Sequence, residues 1–164
     1  MRDFDDYGLK MARYQGELFS LSRENAECSS PVFMRRFMYS DVAHRMDQDG
    51  FLFGALDQRT AIQEIEIEFG TSDYGKIKYS REELYWIGYI YRYWCYTRAL
   101  ASKSVYKMIK PNELRKLYYP YHSLDPAQAI ERIMEAKKMK EEDDTEKGVE
   151  ILRKLMKKTG YRDL

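Results

Sequence analysis

Two histidines, His44 and His122, and two cysteines, Cys28 and Cys95, are all that this sequence offers as soft metal ligands or thiol–imidazole chemistry. Four such residues, widely separated, fall short of a structural zinc set, and no zinc-protease helix or calcium loop is present. The nine glycines are scattered, so no phosphate-cradling loop forms, and neither cysteine nor any serine sits in a nucleophile elbow. No metal and no cofactor is therefore expected. The nearest approach to a catalytic pair is Arg115 and His122, seven residues apart in Arg115-Lys116-Leu117-Tyr118-Tyr119-Pro120-Tyr121-His122. Pro120 between them argues against one uninterrupted helix presenting both. The adjacent arginines Arg35 and Arg36 lie inside the apolar segment Phe33–Met38 and must splay from it, to pair with acids such as Glu66 or Glu68 or to meet an acidic partner.

The elements that position these residues read as helices. Tyr7, Met11, Tyr14, Leu18 and Leu21 recur at helical spacing over residues 5–26. Ser30-Pro31 reads as an N-cap with proline at the first helical position, and Ser40-Asp41 as a second start. Residues 55–69 carry Leu56, Ile62, Ile65 and Phe69, with Gly70 as a stop. Ser80-Arg81-Glu82-Glu83 is a capping box opening a helix to about Leu100, which is apolar all round and belongs at the centre of a bundle. Residues 71–79 read as a loop whose short alternation, Lys76–Tyr79, has room for one small hairpin. Lys110-Pro111 and Asp125-Pro126 open further helices. The run Glu141-Glu142-Asp143-Asp144 reads as a solvated turn before a last helix over 145–159. The expectation is a single all-α domain over 1–164, with 141–164 a loosely attached C-terminal helix.

Composition sets the class. Apolar residues make up 44% of the 164 and charged residues 34%, a globular, soluble balance. The acidic start Met1–Asp6 lacks the apolar core of a secretory signal, so a cytoplasmic location with free thiols is expected. With 28 basic against 27 acidic residues, the net charge of +1 argues against a dedicated nucleic-acid binder. Fifteen tyrosines and two tryptophans load the chain with side chains apolar in the body and polar at the tip. Most are expected in the core, the rest at an interface. The basic face Arg153, Lys154, Lys157 and Lys158 suits solvent, an acidic protein or nucleic acid.

Two resemblances follow from longer stretches. The Arg115…His122 spacing loosely resembles the Arg-x4–6-His signature of the all-helical HEPN ribonucleases. That likeness implies a phosphate-stabilising Arg115 and an acid–base His122. Ser29–Met38, Tyr74–Ser80, Tyr85–Trp94, Lys110–Leu114 and Tyr121–Ile130 together resemble small Firmicute proteins encoded beside ADP-ribosyltransferase-like toxin genes. This second resemblance implies a non-enzymatic antitoxin that binds its cognate toxin protein and covers the toxin's cleft. On that reading Arg35, Arg36, Tyr74, Lys76, Lys78, Tyr79 and Tyr121 are the candidate contacts, by residue type and loop position. A helical ribonuclease and a nucleic-acid-binding regulator are the alternatives.

Overall fold

The computed structural model describes residues 1–158, the side chains of 141–143 excepted, and is helical throughout its regular elements. The order is α1 (Asp6–Asn25), α2 (Ser30–Met38), α3 (Asp41–Asp47), a single 3-10 turn (Phe53–Ala55) and α4 (Gln58–Phe69). Then come α5 (Arg81–Arg98), α6 (Ser102–Met108), α7 (Pro111–Tyr121) and α8 (Pro126–Lys158). No described helix is long and apolar enough to cross a membrane. The chain divides into two compact units, Met1–Pro126 and Ala127–Leu164.

In the first unit α5 is the centre and α1 its most extensive neighbour. The two backbones approach closely because glycines face the partner helix. A Cβ on Gly88 would sit 2.7 Å from the backbone oxygen of Gln15, and one on Gly16 3.0 Å from that of Tyr85. Around this pair α4 covers α1, while α6 and α7 lie on α5. The core fills with Leu18, Phe19, Phe37, Ile62, Ile87, Ile90 and Trp94, all fully or almost fully buried.

Buried tyrosines find acceptors, as a low-dielectric interior requires. Tyr91 donates to the Ile109 carbonyl at 2.7 Å, Tyr14 to that of Leu56 at 2.7 Å, and Tyr96 to Asp5 at 2.6 Å. Burial and the Asp5 bond push the Tyr96 hydroxyl up to about 12. Tyr85, Tyr89 and Tyr93 lie one turn apart on a half-exposed stripe of α5, with Phe4 against Tyr93 at 4.3 Å.

Local signals fare well at several helix ends. Ser80 and Glu83 form the capping box in both directions, at 3.0 and 3.1 Å. Ser40 caps α3, and Gly70 ends α4 with φ +86°.

Four expectations need correction. The cap of α2 is Ser29, not Ser30, because the Ser30 hydroxyl accepts from the Tyr79 N–H at 2.9 Å. No hairpin forms over 71–79: its carbonyls at Tyr74 and Ile77 accept from the N–H groups of Ser29 and Ser30, so the ladder partner is the start of α2. Pro120 does not break α7, which passes through it to Tyr121. So near the C-terminal end a proline deletes one backbone bond and leaves few turns to disturb. Finally, α8 continues through 141–144 without the expected turn. Glutamate is a good helix former, and the run contains no glycine or proline to stop the helix.

Candidate partner-binding site

Helix α2 and the segment 70–79 are fastened together by the bonds just described. Gly75, at φ +80°, lies against Ser29 so closely that a Cβ would meet the serine Oγ at 2.6 Å. Lys78 Nζ reaches back to the Ala26 carbonyl. The segment is thus an ordered rim, extended along the helix, with Tyr74 (74% exposed) and Ile77 (59% exposed) turned outward.

Between rim and helix runs a groove of about 500 Å³, lined by Val32, Arg35, Arg36, Tyr39, Phe69, Ser72 and Tyr74. The lining holds two guanidiniums, three aromatic rings and no carboxylate. Arg36 donates to the Gly70 carbonyl at 2.6 Å and lies 5.8 Å from the Phe69 ring. Among the described residues neither Arg35 nor Arg36 has a carboxylate partner. Glu68, one of the acids expected to neutralise them, instead accepts from the Asp41 N–H at 2.7 Å.

Further cations extend the patch from α6 and the residue after its end cap. Tyr39 meets Tyr106 edge-on at 5.6 Å, with Lys103 5.8 Å from the Tyr39 ring and Lys110 4.4 Å from that of Tyr106. Cations over aromatic faces keep their charge while shedding water, which favours an acidic partner. Sequence reading missed Tyr39, Lys103, Tyr106 and Lys110. Lys103, Tyr106 and Lys110 are remote from Arg35 in the chain, so no local spacing announces their contact, whereas Tyr39 lies only four residues on, at the end of the same helix.

Of the seven candidate contacts, Arg35, Arg36 and Tyr74 line this groove, and Lys76 lies exposed on its rim segment. Lys78 is half-buried on Ala26. Tyr79 is a core residue, 3% exposed, and no surface contact: its ring lies under the Arg115 guanidinium at 4.1 Å. Tyr121 is half-buried at the end of α7, outside the groove lining.

Arg115 on α7 and His122, the residue that caps its C-terminal end, do not share a site. Arg115 bonds Glu83 at 3.0 Å and covers Tyr79, so it supports the capping box of α5. Burial opposes ionisation of Glu83, but the Ser80 N–H and Arg115 outweigh it and hold that carboxyl below its usual range. His122 stacks on Tyr118 at 4.4 Å, and its Nδ1 donates to the Tyr118 carbonyl at 2.7 Å. His122 lines a second groove, of about 540 Å³, with Trp86, Tyr85, Tyr89 and Tyr118; Arg115 does not.

Both cysteines are buried free thiols. Burial pushes Cys28 up, and pushes Cys95 up to about 11, so neither is primed as a thiolate nucleophile. Among the described residues no cluster of His, Cys, Asp and Glu is placed to hold a metal ion. No family model, no curated protein and no solved structure matches the chain.

Proposed function

We propose that this protein works by binding a partner protein through the α2 groove and its 70–79 rim, and that the partner is a toxin whose cleft it covers. The observation that carries the reading is the Arg35–Arg36 pair: two guanidiniums without carboxylate partners among the described residues, set in an aromatic groove with an ordered rim. Fixed aromatic and arginine side chains are the residue types that dominate protein interfaces, because they offer area and charge at small entropic cost. A complementary face would carry acidic groups and at least one apolar anchor for Tyr74 or Ile77. The toxin class, ADP-ribosyltransferase-like, rests on the segment resemblance alone.

Binding rather than turnover is supported by the separate commitments of Arg115 and His122, the ribonuclease pair. The test is co-expression with the product of an adjacent toxic gene. The toxin alone should arrest growth, and the pair should grow and co-purify. Arg35→Glu with Arg36→Glu should weaken capture by about 100-fold, the loss of two interface charges at roughly 1.4 kcal/mol each. Absence of both rescue and co-purification would end this reading. Salt-sensitive retention on duplex DNA, lost in the same variant, would replace it with nucleic-acid binding.

A further inference from the structure

The last turns of α8 carry an aliphatic stripe in the open. Val149 is 43% exposed, Leu152 59%, Leu155 53% and Met156 45%. Val149, Leu152 and Met156 follow the 3–4 spacing of a coiled-coil seam, with Leu155 and Gly148 flanking it on one side and Glu146 and Arg153 on the other. A contiguous exposed apolar stripe of this kind marks an association surface.

Charge says what covers it. Among the described residues neither Glu146 nor Arg153 has an ion-pair partner, although Glu150 and Lys154, on the outer face, pair within the helix at 3.6 Å. Residues 144–150 carry three acids and one base (Asp144, Glu146, Glu150 and Lys147), and residues 151–158 four bases and no acid (Arg153, Lys154, Lys157, Lys158). A parallel pair would place base beside base and acid beside acid. Reversing one helix matches them.

We infer that the distal turns of α8 pair antiparallel with the same turns of a second copy of this chain. In the register that seats Val149 opposite the partner's Leu152, Met156 lies opposite Thr145 and Glu146 opposite Arg153. The same register sets Leu155 over Gly148, where nothing lies within 4 Å of the missing Cβ. One register therefore satisfies seam, charge and volume together. The seam is short, so the dimer forms and dissociates with concentration.

Sedimentation of the full chain alone, at low salt and rising concentration, is the test. The expected result is a monomer–dimer equilibrium. Leu152→Asp should weaken it at least ~10-fold with helical circular dichroism unchanged, since the side chain is exposed in the monomer. Glu146→Arg should weaken it by about 3-fold, and Glu146→Arg with Arg153→Glu should restore it to within ~2-fold. A monomer at every concentration overturns the proposal, as does a dimer indifferent to Leu152→Asp. A double charge reversal that fails to rescue overturns the antiparallel register. A chain that stays monomeric but binds anionic vesicles replaces the second copy with a membrane surface. No toxin is present in any arm, so these results stand apart from the partner-binding reading.

Discussion

Arg92 and the Arg35–Arg36 pair carry the same guanidinium in opposite settings. Arg92 is 1% exposed at the middle of α5 and donates from each of its three guanidinium nitrogens inside the protein. It bonds Gln15 at 2.7 Å, Asp47 at 2.8 Å and Ser102 at 2.9 Å, tying α1, the end of α3 and the start of α6 to the central helix. Gln15 passes the chain on to the Gly88 carbonyl, and Asp47 also accepts from the Ser102 N–H and hydroxyl. Arg35 is exposed and Arg36 gives one bond to a loop carbonyl. A buried charge must be satisfied where it lies or it destabilises the fold. An exposed one without a partner keeps its interaction capacity for another molecule.

The widest separation between the two regions should appear in stability. Arg92→Met leaves Asp47 and Gln15 facing an apolar stem and should cost about 3–5 kcal/mol, whereas Arg35→Met should stay within ~0.5 kcal/mol. Urea denaturation of the two variants measures both. If Arg92→Met unfolds at the wild-type midpoint, the contrast is wrong and the network is dispensable.

A smaller effect tests whether the groove is a prepared surface. Gly75→Ala introduces a Cβ at φ +80° and against Ser29, so the rim should lose its seat on α2 at a cost of roughly 1–2 kcal/mol. Partner capture should fall more than stability does. Equal amide-exchange protection at Ser29 and Ser30 in both forms would show that the rim does not depend on this close approach.

The smallest effect concerns pH, and sharpens where Arg115 belongs. Glu83 has its folded-state pKa lowered: burial opposes this, and the Ser80 N–H and Arg115 overcome it. A lowered carboxylate contributes stability that is fully present above the unfolded value of about 4.3 and is lost as pH falls through the folded value. Stability should therefore drop as pH falls below the unfolded value of about 4.3, and Glu83→Gln should flatten part of that slope. Parallel wild-type and variant curves would place Glu83 outside the acid response.

What short-range chemistry decides was legible in the residues themselves. The Ser80–Glu83 box, the Ser40 cap, the Gly70 stop and the all-round apolar face of α5 each depend on atoms within a few residues, and each was readable before any coordinates. Tertiary structure decided the rest, because the partners are far apart in the chain. Ser30 gave its hydroxyl to Tyr79 and left the cap to Ser29; Tyr79 went into the core; and the 70–79 segment bonded to α2 and not to itself. The arginines show the same division. The sequence places Arg35, Arg36 and Arg92 each on a largely apolar helix, and nothing local tells one from another. Only the fold, by bringing Asp47, Gln15 and Ser102 to one and rings with no carboxylate to the others, separated a structural charge from one available to a partner.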